Sequence, residues 1–162
     1  MEADGEALLC PSAQPDQVGS FAFGVVGGTA ATPEVSYLRR PLPVNQDLLA
    51  LAAPVDATEV FRFAAPCAES ACQHFDGGGC TLATKIARLI EGSDHAVPPC
   101  RIRPRCRWWN QEGAAACRRC PLVVTQSFAP STDLRQVADP QRRAAVSVRR
   151  PAGSGTDVRL GP

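Results

Sequence analysis

The sequence predicts a small, loop-rich α+β domain, and three observations predict it. Two short apolar runs near the N-terminus, FAFGVV (21–26) and EVSYL (34–38), have strand character. Later stretches carry helix caps and apolar residues at helical spacing. Fifteen prolines and thirteen glycines in 162 residues cut the chain into short pieces. The apolar fraction of 44% is ordinary for a globular protein, but aromatics are few, so the core must come mostly from Ala, Val and Leu.

The length suits one domain with a tail. Residues 1–65 read as a small α+β region, 66–130 as a cysteine-rich region, and 131–162 as an Arg/Pro/Gly-rich tail expected to be flexible. Residues 1–19 are expected to be an irregular lead-in. The strands at 21–26 and 34–38 form a hairpin around a Gly/Thr/Pro connection too long for a two-residue turn. Arg39-Arg40-Pro41-Leu42-Pro43 is expected to stop the second strand, since proline cannot donate to a ladder. Asn45 is placed to cap a helix over 46–52, which Pro54 ends. A second helix is read over 55–65, capped by Asp56 or Thr58. Asp76-Gly77-Gly78-Gly79 is a loop tip that lets the chain fold back. From Thr81 to about Glu91, Leu82, Ile86, Leu89 and Ile90 share one helical face, and Gly92 ends the helix. His95 falls in a loop and reads as a solvated side chain. PLVVT (121–125) is an apolar run that can pack back on the core.

Net charge is +1, but it is unevenly spread. Residues 1–60 hold eight acidic side chains against Arg39 and Arg40, while 100–120 hold six arginines against Glu112 alone. The N-terminus lacks the basic and apolar regions of a signal peptide, and no run approaches the roughly 18–20 apolar residues of a membrane span. A cytoplasmic protein with no membrane partner is the expectation. In that compartment eight cysteines suggest metal ligands or redox groups before disulfides.

The cysteines fall in two groups. Cys100, Cys106, Cys117 and Cys120 form the pattern C-x5-C-x10-C-x2-C. Cys117 and Cys120 are a strong local pair, because thiolates on one zinc, with Zn–S about 2.3 Å, must lie close together. Cys106 and Cys117 pose a geometric problem: in one straight helix they would stand about 16 Å apart, at about 1.5 Å per residue. A shared site therefore requires a turn, and Gly113 is where the sequence permits one. Cys67, Cys72 and Cys80 form the other group, C-x4-C-x7-C, which needs a fourth ligand. Cys10 is the first candidate, dividing the cysteines four and four; His74 is the second. Arg101 and Arg105, with their arginine neighbours, are placed to offset an anionic centre, and Trp108 and Trp109 to shield it from solvent. The spacings are looser than the paired short knuckles of zinc modules, and Cys120-Pro121 is similar to the close of the bacterial ferredoxin run. They favour one or two iron–sulfur clusters, [4Fe-4S] in type, with zinc as the alternative.

C-x4-C-x-H-F-D-G-x-x-C, R-C-R-W-W-x-Q-E-G and C-x-x-C-P together resemble a group of small bacterial cysteine-rich proteins of iron–sulfur or nitrogen-fixation type. The resemblance spans roughly 66–125 and implies a metal or cluster protein without supplying an activity. The expectation is a cluster-binding protein that transfers electrons or serves an oxidoreductase partner. The alternative is a zinc-stabilised module binding protein or nucleic acid, the latter weakened by the near-neutral charge. No Ser-His-Asp arrangement, phosphate loop or dinucleotide fingerprint is present, so the residues favour a non-enzymatic role, with no catalytic residue assigned.

Overall fold

The computed structural model describes residues 6–91, 94, 96–125 and 132–141. Its α+β architecture centres on one antiparallel sheet of β1 (Leu9–Ala13), β2 (Phe21–Gly28), β3 (Pro33–Pro43) and β4 (Phe61–Pro66), in the spatial order β1-β4-β2-β3. β2 and β3 make the expected hairpin, with Gly28 opposite Pro33. Gly28 has φ 73°, and a Cβ there would collide with the Thr32 carbonyl, so glycine is required. β3 runs on through Arg39 and Arg40 to Pro43, past the prolines expected to stop it. It is an edge strand, where a missing donor faces no partner on the open side.

Further elements correct the expectations. The lead-in is not wholly irregular: β1 pairs with β4, Leu9 opposite Pro66 and Cys10 opposite Ala65. β1 is the other edge strand, and Pro11 lies where the register shifts between Cys10 and Ala13, the kind of position that tolerates proline. The helix read over 55–65 is one turn only, α2 (Ala57–Val60), after which the chain becomes strand β4. Phe61 to Ala65 are all buried, because both sheet faces are covered. Such a strand lacks the polar alternation that marks a half-exposed one.

One sheet face packs Ala13, Ala22, Phe61, Phe63 and Ala65 against Leu48 and Ala52. Leu48 belongs to α1 (Gln46–Ala50), whose cap is Asn45, accepting the Leu48 N–H at 2.8 Å. The other face places Leu9, Phe23 and Ala64 against the cysteine-rich region. There, β5 (Phe75–Asp76) and β6 (Gly79–Cys80) form a minimal hairpin that turns at Gly77, φ 63°. It leads into α3 (Thr81–Leu89), with Ile86 fully buried and Leu82 and Leu89 partly so. Lys85 is buried beside them, and its ammonium donates to the Asp139 carbonyl. α4 (Arg107–Glu112) and α5 (Ala114–Cys117) follow, and Val123 packs back on the core. The tail expected over 131–162 starts instead with α6 (Thr132–Ala138), which packs on α3 and buries Val137. Residues 142–162, Gly92 and His95 lie outside the described residues. Among the described residues no helix is long and apolar enough to cross a membrane.

Candidate metal centres

The eight cysteines, none of them in a disulfide, divide between two cavities. Cys10, Cys67, Cys72 and Cys80 wall an upstream cavity of about 100 Å³, together with His74, Phe75 and Arg107. Cys100, Cys106, Cys117 and Cys120 wall a downstream cavity of about 20 Å³, together with Tyr37, Arg103 and Trp109. Trp108, 1% exposed, lines both. The partition continues along β1, where Cys10 faces the upstream cavity and Pro11 the downstream one.

Strand pairing supplies the upstream fourth cysteine. Cys10 sits opposite Ala65, two residues before Cys67, and the Cys67 N–H donates to the Leu8 carbonyl at 2.7 Å. Cys72 closes a 3-10 turn over Glu69–Ala71, and its sulfur accepts the His74 N–H at 3.4 Å. Cys80 caps α3, its sulfur accepting the Ala83 N–H at 3.5 Å. Gln111, from α4, clamps the Cys80 backbone: its Oε1 accepts the Cys80 N–H at 2.7 Å and its Nε2 donates to the Cys80 carbonyl at 2.9 Å. Thr84 donates to Glu112 at 2.6 Å beside this clamp. The Gln-Glu of R-C-R-W-W-x-Q-E-G thus ties the upstream cysteine hairpin to the downstream helix.

The downstream group depends on the turn at Gly113, which lies between α4 and α5 with φ 59° and ψ −141°. That conformation belongs to glycine. Cys106 opens α4 and Cys117 ends α5, so the turn brings both onto one cavity wall. Asn110 braces the approach, donating to the Pro104 and Cys106 carbonyls at 3.1 and 2.9 Å. Cys120 opens a 3-10 turn, and a β-bridge between Leu9 and Cys106 seats the whole segment on the sheet.

Burial dominates the thiol electrostatics. It pushes Cys10 and Cys106 up to about 12 and Cys100 up to about 11, and raises Cys80 and Cys117. Backbone N–H groups aimed at the sulfurs work against it: Ser12 at Cys10, Ala83 and Leu82 at Cys80, Ile102 at Cys100, Trp109 and Trp108 at Cys106. The Arg103 guanidinium does the same at Cys117. Each of these five thiols feels other cysteines of its own group and none of the other group. Burial, and then the Lys85 charge, lowers the pKa of His74 and favours its neutral ring.

Both cavities are ringed by buried polar atoms without a hydrogen-bond partner among the described residues. They are His74 Nδ1 and Arg107 Nε upstream, Arg103 Nε and Nη2 downstream, and Trp108 Nε1 between. The Tyr37 hydroxyl lies by the Cys120 thiol, and desolvation with that neighbour holds it protonated far above the usual tyrosine range. Orphaned donors are costly to bury, so a ring of them suits an acceptor-rich anionic group.

Arg62 is the residue beside the downstream cysteines that sequence reasoning missed. It is 0% exposed, and its guanidinium donates to the carbonyls of Cys120 (2.7 Å), Val123 (2.6 Å) and Pro11 (2.8 Å) and to Cys120 Sγ (3.4 Å). It lies 5.7 Å from the Phe23 ring centre and 5.9 Å from that of Trp108. Among the described residues no carboxylate pairs with it. Its signal was an arginine inside an apolar run, F-R-F-A-A, legible only once that run is known to be a central strand.

The two tryptophans reach the cavities; the two arginines named with them do not. Arg101 is exposed, and Arg105 turns away to bond Glu6 and the Ala7 carbonyl. Arg103, stacked 5.2 Å from the Trp109 ring centre, and Arg107, set against Cys67 and paired with Glu69 at 2.6 Å, take the cavity positions. Among the described residues no group of three or more His, Cys, Asp or Glu is set to hold a metal ion. No family model, curated protein or solved structure matches the chain.

Proposed function

We propose that this chain is an iron–sulfur protein with two four-cysteine centres, one held by Cys10, Cys67, Cys72 and Cys80 and the other by Cys100, Cys106, Cys117 and Cys120. In this reading it transfers electrons to or from a protein partner. The carrying observation is the division of the cysteines four and four onto two separate cavity walls. The rings of orphaned donors support it, because cluster sulfurs accept hydrogen bonds from such groups.

When bound, such clusters supply one-electron redox chemistry. The chain's own contribution is positional and electrostatic. Backbone N–H groups point at the sulfurs, Trp108 and Trp109 exclude water, and Arg62, Arg103 and Arg107 offset negative charge. The family resemblance over 66–125 points the same way, and a cytoplasmic setting would keep the thiols reduced.

A second reading, zinc at the downstream group, draws on the narrower cavity there and on the Cys117–Cys120 pair. It would make the protein a metal-stabilised interaction module. Anaerobic purification followed by a visible spectrum and iron, sulfide and zinc counts tests both. About eight irons per chain with broad visible absorbance supports two [4Fe-4S] centres. A colourless protein holding one or two zincs overturns the electron-carrier reading.

A further inference from the structure

The charges around the two cavities are unequal, and the inequality falls along a single partition. The downstream group meets two guanidiniums without a carboxylate partner among the described residues: Arg62, bonded to Cys120 Sγ at 3.4 Å, and Arg103, set against Cys117. The upstream group meets Arg107, whose charge is already shared with Glu69 at 2.6 Å. Arg62 is fully buried, where Coulomb interactions are screened least. Positive charge and hydrogen bonds at the sulfurs stabilise the reduced, more negative state of a centre and raise its potential. One indole ring, Trp108, lines both cavities, and it also lies under the Arg62 guanidinium. A residue shared by both linings makes the two groups neighbours, and electron tunnelling falls steeply with distance.

We propose that the two centres form an internal electron relay, in which Arg62 holds the downstream centre at the higher potential and an electron entering upstream crosses at Trp108 to settle downstream. The inference rests on the iron–sulfur reading. The step moves one electron: the reduced upstream centre is oxidised, the downstream centre is reduced, and no bond is made or broken. The first electron comes from a low-potential one-electron donor, for which dithionite serves in the test. Arg62 acts here as a positioning and tuning residue through Cys120.

The test is a dithionite titration of the anaerobic holoprotein, read by electron paramagnetic resonance with iron counted beforehand. Two one-electron waves are expected. Cys120→Ser should alter the first and Cys72→Ser the second, which assigns the first electron to the downstream centre. At full reduction the two signals should broaden each other magnetically. Arg62→Met should lower the first wave by at least a tenfold change in equilibrium constant, about 59 mV for one electron, and leave the second in place. Arg62→Lys should recover part of the shift. Simultaneous reduction of both centres, or first reduction upstream, overturns the relay in the unmodified protein, whatever the variants do. An unmoved first wave in iron-replete Arg62→Met removes Arg62 from it. A protein without iron fails earlier, at the count, and overturns the cluster reading and the relay together.

Discussion

The upstream and downstream cysteine groups have the same number of thiols and different foundations. The upstream group hangs on a strand edge, a 3-10 turn and a two-residue hairpin, and only Cys80 is buried. The downstream group is built into the hydrophobic core, with Cys106, Cys117 and Cys120 all buried and only Cys100 partly exposed. One cavity is about 100 Å³ and shares its wall with an imidazole; the other is about 20 Å³ and is walled by two indoles and a phenol. The contrast teaches that the downstream cysteines are part of the packed core, whereas three of the four upstream ones stand at its margin.

The largest expected effect breaks that contrast at Cys120. In metal-free, reduced protein, Cys120→Ala removes the sulfur partner of a buried charge, so unfolding free energy should drop by about 1.5–3 kcal/mol, the worth of a hydrogen bond to a charged group. Cys72→Ala, at a half-exposed site, should cost less than about 1 kcal/mol. Urea unfolding of the two variants checks the order. Equal costs would mean that the downstream group is no more part of the core than the upstream one.

Gln111 sharpens the comparison next, because it is the strut between the halves. Gln111→Leu frees the Cys80 N–H and carbonyl and should cost about 1–3 kcal/mol. In loaded protein exposed to air and chelator, metal should leave in two phases, upstream first. This variant should speed the first phase and spare the second. A uniform loss from both centres would show that the strut does not act on one group alone.

How much of this was legible in the sequence divides along the same line. The turn at Gly113 was readable, because two cysteines eleven residues apart cannot meet across a straight helix and one glycine lay between them. The hairpin, the Asn45 cap and α3 were readable from local pattern. β1 and β4 were not. Leu9–Ala13 is a strand only because β4 lies beside it, and the buried face of Arg62 exists only once both sheet faces are covered. Strand pairing over more than fifty residues leaves no local trace, so Cys10 could be matched to its group by count and not by geometry.

A smaller effect is read by pH, and thiols of both groups contribute to it. Desolvation makes the thiols of Cys10, Cys100 and Cys106 hold their protons to about 11–12, against an ordinary 9.0. Below pH 9 the folded and unfolded metal-free chains bind these protons equally, and the stability associated with them is fully present. Above pH 9 the unfolded chain loses them first, so stability should fall steadily as pH rises toward about 12. Denaturation midpoints of metal-free protein at about pH 8 and pH 10 check this, and Cys106→Ala should flatten the fall while Cys72→Ala leaves it. A midpoint that rises between those values would contradict the burial of these thiols.

The smallest effect expected is at His74, and it decides how the upstream group is completed. His74 shares the cavity with four cysteines, and burial keeps its ring neutral and able to ligate. Its Nδ1 has no partner among the described residues, which fits a ligand or a hydrogen-bond donor to a sulfur equally well. Cys10 differs in being anchored: β1 fixes its backbone opposite Ala65, and the Ser12 N–H points at its sulfur. A position held by a strand needs no rearrangement, so under the iron–sulfur reading proposed above Cys10 would be the fourth ligand and His74 a hydrogen-bond donor to a sulfur. His74→Ala should then keep the full iron count and shift only the upstream potential, while Cys10→Ala should lose the upstream irons. Iron loss in His74→Ala with retention in Cys10→Ala would exchange their roles and leave Cys10 as a strand residue alone.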